Sequence, residues 1–203
     1  MFPSFILVYS REIFLLIAST LLFIGCRSIE HKETYLVKLL SQTISLPFSQ
    51  MEKIHSEDQM HNEEEFKIKK YKLIHYIDTQ SCSICELKTM YQWDDFLIKN
   101  SLENTVQVYC IVDTRNHNRE ELMEAINETY FQCEVYFDNT GIFMTANNFI
   151  PINKIFHTFL LDHNHNVVVA GNPLNNPKIE ELLIETIDNM NNKSNKSNNV
   201  LSK

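Results

Sequence analysis

The stretch KYKLIHYIDTQSCSICELKTMYQWDDFLIKN (70–100) decides the fold. Its first part, KYKLIHYID (70–78), alternates in polarity and is rich in isoleucine and tyrosine, which predicts a β-strand. Apolar residues at helical spacing follow Ser81, which the pattern predicts to be the N-cap of a long helix reaching the end of the stretch. Cys82 and Cys85 therefore lie where a strand passes into the first turn of a helix.

This position suits the two cysteines to thiol chemistry. A thiol at a helix N-terminus faces unpaired N–H groups and the positive end of the helix dipole, and both lower its pKa. Cys85 lies three residues after Cys82, so it can reach Cys82 and resolve a mixed disulfide that the Cys82 thiolate forms with a partner. The pattern favours a redox pair, with a structural dithiol or a metal-binding pair as alternatives.

The rest of the chain contains further strands and helices in a regular order. The predicted elements are a strand at TVQVYCIVD (105–113), a helix at REELMEAINETYF (119–131), a strand at EVYFD (134–138), a hairpin of FHTFLLD (156–162) and VVVAG (167–171), and a helix at PKIEELLIETIDNM (177–190). Strands that alternate with helices form parallel sheets, and a hairpin adds antiparallel strands. The sequence therefore predicts an α/β domain with a central mixed sheet and helices on both faces.

The order of these elements around the CxxC motif resembles the thioredoxin-like fold. Over residues 66–188 the chain is similar to the exported, TlpA/AhpC-TSA-like thiol-disulfide oxidoreductase lipoproteins of the Bacteroidetes. FHTFLLDHNHNVVVAGNPL (156–174) resembles a second segment of that family. The resemblance implies a three-layer sandwich with Cys82 as nucleophile and Cys85 as resolving cysteine. It implies no cofactor and no metal, protein thiols or disulfides as substrates, and an upstream redox partner.

The resemblance also indicates which residues border the cysteine pair. The expected groove residues are Ser81, Ser83, Ile84, Ile155, Phe156, His157 and Thr158. The family normally has a cis-proline where Phe156 stands. Because a non-proline cis bond costs roughly 3 kcal/mol, we expect a trans Ile155–Phe156 bond. Tyr76 occupies the position where thioredoxins bury an aspartate, and Glu86 stands where a basic residue is common.

The N-terminal residues predict export. IFLLIASTLLFIG (13–25) has the length of a signal-peptide apolar region and is too short to cross about 30 Å of hydrocarbon. Gly25 and Cys26 end a segment that resembles a bacterial lipobox, which implies cleavage before Cys26 and a lipid on its sulfur. The alternative is an uncleaved N-terminal anchor. We expect a protein of the bacterial cell envelope, lipid-anchored and facing the periplasm.

The sequence is predicted to comprise four segments. The segments are a signal peptide (1–25), an N-terminal extension (26–66), the thioredoxin-like domain (67–188) and an Asn-rich tail (189–203). The tail is too polar to offset its ordering entropy, so it is expected to be disordered.

The 18 Lys and Arg residues against 26 Asp and Glu give a net charge of −8. Phosphate contacts need a basic surface, so no nucleic-acid partner is expected.

Three other functions fit parts of the pattern. Thr79 and Cys82 match the T-x-x-C of a thiol peroxidase, although His75 replaces the proline of that motif. Two thiolates with a nearby histidine are ligands for Cu(I) or Zn²⁺ in a metallochaperone. The missing cis-proline is also compatible with a degenerate binding module. Cys110 and Cys133 lie in or beside predicted strands and are expected to be buried structural thiols.

Overall fold

The computed structural model of the protein describes residues 33–54 and 69–201. The predicted signal peptide and Cys26, the predicted lipidation site, lie outside these residues. Within the described ranges, no helix combines the length and the apolar character that crossing a membrane requires.

The chain divides into two compact units. In the first, Met1–Lys38, residues 33–38 are helical and belong to helix α1 (33–40). The second, Leu39–Lys203, contains a six-stranded sheet. Its strands are β1 (Glu52–Ile54), β2 (Tyr71–Ile77), β3 (Val106–Asp113), β4 (Glu134–Asp138), β5 (Thr158–Leu161) and β6 (Val167–Ala170). They lie in the order β1-β4-β3-β2-β5-β6, so β2 is a central strand.

The sheet is mixed, as the sequence predicts. β2, β3 and β4 run parallel, whereas β1, β5 and β6 run antiparallel to their neighbours. The helices of this unit are α2 (Ser83–Leu87), α3 (Tyr91–Lys99), α4 (Arg119–Asn127), α5 (Ile142–Ala146) and α6 (Pro177–Leu201). Helices α2 and α3 cross from β2 to β3, and α4 crosses from β3 to β4. The predicted class is confirmed: the fold is α/β, with a central mixed sheet.

One face of the sheet carries the larger core. Alternate residues of the central strands point to it, among them Leu73 and Ile77 of β2 and Val108 of β3. The helices α2, α3, α4 and α6 cover this face with Leu87, Trp93, Phe96, Leu97, Leu122, Ile126, Leu183 and Ile187. Burying one side chain of this size contributes about 1.5–3 kcal/mol. This core therefore holds the CxxC helix against the central strand.

The opposite face is covered by shorter segments. The ring of Phe143 on α5 lies 5.2 Å from the ring of Tyr76, measured between centroids. Phe48 stacks on Tyr109 and Tyr136 with centroid distances of 5.0 and 4.3 Å. These segments form the third layer of the sandwich, opposite the four helices.

Part of the predicted N-terminal extension (26–66) belongs to this layer. The backbone N–H of Ser45 donates to Asn147 Oδ1 at 2.8 Å, and Asn147 Nδ2 donates to the Ser45 carbonyl at 2.8 Å. Strand β1 comes from the same extension and pairs with β4. The folded domain thus begins before residue 67, because its outer strand and second face are completed by residues that precede β2.

The predicted helix from Ser81 to residue 100 is interrupted. Lys88–Met90 form a tighter turn between α2 and α3, in which the Thr89 N–H donates to the Glu86 carbonyl at 3.0 Å. The Thr89 hydroxyl donates to the same carbonyl at 2.9 Å. A threonine side chain that bonds back to the preceding turn competes with regular helical pairing, which accounts for the break.

The last helix is longer than predicted. α6 continues to Leu201, through the segment that the sequence predicts to be a disordered tail from residue 189. Met190 packs against the core, and Asn191 Oδ1 accepts hydrogen bonds from Lys70 and from the Tyr71 hydroxyl, at 2.8 and 2.9 Å. The predicted boundary at residue 189 is therefore too early. Extending an existing helix avoids the cost of nucleation, so polar residues can continue it.

Candidate active site

Cys82 and Cys85 are joined by a disulfide at the end of the central strand β2. Their Cα atoms are 5.3 Å apart, and both residues are exposed. Cys82 itself is the N-cap of α2, where Ser81 was predicted, and it makes no side-chain cap hydrogen bond. α2 has five residues before the turn at Lys88, so its own dipole is smaller than that of the long helix predicted. An exposed disulfide at this position is accessible to a macromolecular partner.

The loop that leads to Cys82 is organised by Asp78. Its Oδ1 atom accepts the Ser81 hydroxyl at 2.8 Å and the Gln80 N–H at 3.1 Å. The Ser81 N–H also donates to the Asp78 carbonyl at 3.2 Å. Ser81 therefore lies next to the disulfide as predicted, but its hydroxyl is engaged by Asp78 and not by the start of the helix.

Ser83 and Ile84, between the two cysteines, turn toward the protein. Ser83 is buried, and its hydroxyl lies 3.0 Å from Nε2 of His117, which belongs to the loop after β3. Ile84 is half-buried and packs against the core. Neither side chain is freely exposed beside the disulfide. The contact with His117 was not predicted from the sequence, since the two residues lie on different loops.

Glu86, directly after Cys85, contacts a buried histidine. His75 of β2 places Nε2 3.4 Å from Glu86 Oε2 and Nδ1 2.9 Å from the Thr158 hydroxyl. The His75 ring also lies 5.4 Å from the ring of Trp93. The hydrogen bond from His75 holds the pKa of Glu86 below its ordinary value. The structure thus connects Thr158, a predicted groove residue, to the residue beside Cys85 through His75.

The segment at the missing cis-proline is a 3-10 turn, Lys154–Phe156. The Asn153 side chain caps it by accepting the Ile155 N–H at 3.2 Å. The described residues contain no cis peptide bond, so the predicted trans Ile155–Phe156 bond is confirmed. Ile155 is 47% exposed, whereas Phe156 is 6% exposed and packs inward. Of this pair, Ile155 alone offers its side chain to solvent.

His157 follows that turn and is buried beside the Cys82 loop. Its Nδ1 lies 3.8 Å from Asp78 Oδ2, and its Nε2 lies 3.0 Å from the Pro151 carbonyl oxygen. Its own carbonyl accepts the Tyr76 N–H at 2.8 Å, which ties the turn to β2. Burial lowers the pKa of His157. The predicted groove residues His157 and Ser81 therefore meet at one carboxylate, that of Asp78.

Tyr76, at the position where thioredoxins bury an aspartate, reaches a carboxylate on the next strand. Its hydroxyl donates to Asp113 Oδ2 at 3.1 Å, and Arg115 pairs with the same carboxylate. Although burial raises the pKa of Asp113, the bonds from Arg115 hold it below its ordinary value. Burial raises the pKa of Tyr76, so the phenol stays protonated.

The remaining described cysteines are buried, as predicted. Cys110 is completely inaccessible and Cys133 is 2% exposed. Burial raises the pKa of both thiols, which keeps them in the unreactive thiol form. Among the described residues, no group of three or more His, Cys, Asp or Glu side chains is arranged to hold a metal ion.

Three solved structures resemble this chain at low sequence identity. A provisionally assigned thiol:disulfide interchange protein DsbE from Chlorobium tepidum is 12% identical, with a TM-score of 0.46 over 72% of this chain and 98% of that protein. A thioredoxin-like protein from Porphyromonas gingivalis is 19% identical, with a TM-score of 0.40 over 60% and 76%. StoA from Bacillus subtilis is 14% identical, with a TM-score of 0.41 over 58% and 85%. No protein-family model and no curated protein matches the chain.

Proposed function

We propose that this protein is a membrane-anchored thiol-disulfide oxidoreductase whose redox pair is Cys82 and Cys85. The observation that carries the proposal is the exposed Cys82–Cys85 disulfide at the end of the central strand β2. An exposed disulfide between residues three apart can open and close without breaking the core beneath it. The other described cysteines are buried and protonated, so they do not compete with the pair.

The reaction is a pair of thiol-disulfide exchanges. A partner thiolate attacks Cys82 Sγ, the bond between the two sulfurs breaks, and Cys85 leaves as a thiolate that takes up a proton. The second thiolate of the partner then attacks the mixed disulfide, releasing a partner disulfide and Cys82 as a thiolate. Every step is reversible, so the same pair oxidises or reduces its partner according to their reduction potentials.

The charge of Glu86 suits Cys85 to the resolving role. Glu86 directly follows Cys85, and its hydrogen bond from His75 keeps it ionised at neutral pH. A negative charge near a thiolate favours its protonation. A resolving cysteine must take up a proton after it leaves, so a carboxylate at the next residue fits this role.

The proposed substrates are protein thiols or disulfides of the bacterial envelope. Because both cysteines are exposed on the surface, a folded or partly folded protein can approach them. The lipid proposed for Cys26 keeps the domain at a membrane, facing the periplasm, where a second protein returns it to its starting oxidation state. No nucleic acid takes part in this function.

A redox titration tests the proposal. The full chain, purified in a mild detergent, is equilibrated through a series of thiol redox buffers. Free thiols are trapped and mapped by mass spectrometry. We expect one two-electron transition confined to Cys82 and Cys85. A midpoint near about −270 mV would indicate a reductant, and one near about −120 mV an oxidant. If no Cys82–Cys85 disulfide forms anywhere in the range, the proposal is wrong.

Matched variants assign the roles and separate the alternatives. Cys82→Ser should abolish exchange with a protein disulfide, whereas Cys85→Ser should accumulate a mixed disulfide on Cys82. Cys133→Ala, which alters a buried thiol, should keep the transition. Stoichiometric copper or zinc in the purified protein would favour a metallochaperone, and peroxide consumption without a protein substrate would favour a peroxidase. Partner binding that survives Cys82→Ser, without any exchange activity in the native chain, would favour a binding module.

A further inference from the structure

The Nδ1 atom of His157 is buried without a hydrogen-bond partner. The whole residue is 3% exposed. Its other ring nitrogen, Nε2, lies 3.0 Å from the Pro151 carbonyl oxygen. A carbonyl oxygen accepts hydrogen bonds and never donates them, so Nε2 must carry the ring proton. In the neutral imidazole, Nδ1 is therefore an unprotonated acceptor.

A carboxylate faces this acceptor. Asp78 Oδ2 lies 3.8 Å from His157 Nδ1, beyond hydrogen-bond distance. Two acceptors cannot bond to each other, which explains both the separation and the unpaired nitrogen. A proton added to Nδ1 converts the contact into a charge-assisted hydrogen bond. Burial lowers the pKa of His157 more than Asp78 raises it, so the imidazole is neutral in the disulfide form at neutral pH.

Asp78 also connects His157 to the redox pair. Its Oδ1 atom accepts the hydroxyl of Ser81, the residue directly before Cys82, at 2.8 Å. The Asp78 carboxylate is therefore bonded to the residue that precedes the sulfur which becomes a thiolate on reduction. A negative charge near that sulfur disfavours the Cys82 thiolate. A positive charge on His157 would cancel that effect.

We propose that reduction of the Cys82–Cys85 disulfide is coupled to protonation of His157, whose imidazolium then pairs with Asp78 and stabilises the Cys82 thiolate. This inference rests on the redox function proposed above. The step balances: the two thiols of a partner become a disulfide as the bond between Cys82 and Cys85 breaks. One partner proton ends on Cys85 and the other on His157, while Cys82 remains a thiolate. His157 is a positioning residue, because it acts through Asp78.

Other titratable groups that face His157 do not replace Asp78 in this role. The Tyr76 ring lies 5.2 Å from the His157 ring, and burial raises the pKa of this phenol, so it stays neutral. His75 lies next to Tyr76 on β2. A positive charge on His75 would disfavour a second positive charge on His157. Lys154, in the turn before His157, acts on Glu86. Asp78 is thus the charged acceptor toward which a proton on Nδ1 points.

The pH dependence of Cys82 alkylation tests the coupling. Only the thiolate reacts with iodoacetamide, so the rate at Cys82 of the reduced full chain in detergent reports how much of this thiol is ionised. His157→Gln removes the stabilising imidazolium, so we expect Cys82 alkylation to begin at higher pH than in the native chain. His163→Gln is the matched control. It removes an exposed histidine from the turn between β5 and β6 and should leave the native profile unchanged.

A second measurement does not depend on any variant folding. Titration of the histidine ring nitrogens by NMR should give a higher pKa for His157 in the reduced chain than in the disulfide form. Equal pKa values in the two forms would overturn the proposal. So would an alkylation profile of Cys82 that is the same in His157→Gln as in the native chain. If the cysteine pair shows no redox transition at all, the proposed function fails first.

Discussion

The contact between His75 and Thr158 should couple β5 to β2 strongly enough to appear in a double-mutant cycle. The two residues are opposite each other in the antiparallel pair β2–β5, and Nδ1 and Oγ1 are 2.9 Å apart. His75 is 7% exposed and Thr158 is 2% exposed, so neither polar group can turn to water when its partner is removed. This pair anchors the strand that follows His157.

The expected magnitudes follow from that burial. Leaving one buried polar group without a partner costs about 1–3 kcal/mol, and each single variant does so. His75→Phe leaves the Thr158 hydroxyl unpaired while keeping a ring against Trp93, and Thr158→Val leaves His75 Nδ1 unpaired. The double variant leaves neither group unpaired. We therefore expect it to lose less stability than the sum of the single variants, by about 1–2 kcal/mol.

Equilibrium urea unfolding of the four proteins measures this coupling. Far-UV circular dichroism should be the signal, because the fluorescence of Trp93 will respond to the His75 variant directly. Free energies of unfolding that add to within about 0.5 kcal/mol would show that the two side chains are not coupled. The assignment of His75 and Thr158 as a buried polar pair would then be wrong.

Three further predictions concern other parts of the site. The pKa of Glu86 is lowered in the folded state, so the native chain should be more stable than Glu86→Gln at pH values above the pKa of an ordinary glutamate. This difference should vanish as the pH falls through the folded-state pKa of Glu86. Urea unfolding at a series of pH values measures the difference in free energy of unfolding, and a difference that does not change with pH would contradict the prediction. Gly141→Ala should destabilise the chain by about 1–2 kcal/mol, because a side chain is strained at this left-handed position. The backbone φ is +73° and the new Cβ would lie 2.5 Å from Arg115 Cζ, so an unchanged urea midpoint would refute the conformation of this turn. Iodoacetamide at mildly alkaline pH should label the two site cysteines of the reduced protein and spare Cys110 and Cys133 until urea is added, as peptide mass spectrometry would show.

Much of the fold could be predicted from local patterns. The alternation in KYKLIHYID and the apolar run at TVQVYCIVD correspond to the central strands β2 and β3. The position of Cys82 and Cys85 at the start of a helix also follows from the sequence, because capping and apolar spacing are local properties. The N-terminal limit of the domain could not be predicted. Residues 39–54 have no periodicity of their own, and their place is decided by the sheet face and edge that they cover.

The candidate site likewise combines features that the sequence shows and features that it does not. The sequence shows the pair of cysteines, the missing proline at Phe156 and the acidic Glu86 at a position where a basic residue is common. The groups that surround the pair are not, because they are brought together by strand pairing. His75 and Thr158 are 83 residues apart in the chain. His75, a histidine in an apolar strand just before the motif, was the signal in the sequence for a buried polar contact. Its position in the sequence does not identify the residue that it contacts.

The sequence by itself determined the strand–CxxC–helix unit, the mixed α/β class and the trans bond at Phe156, since each depends on neighbouring residues. The tertiary structure decided which side chains act on the pair. The antiparallel return of β5 beside β2 brings His157 to Asp78 and Thr158 to His75. Contacts of this kind depend on the register of distant strands, and that register is set by burial of both sheet faces together. The charges that would govern the Cys82–Cys85 disulfide are therefore a property of the folded sheet.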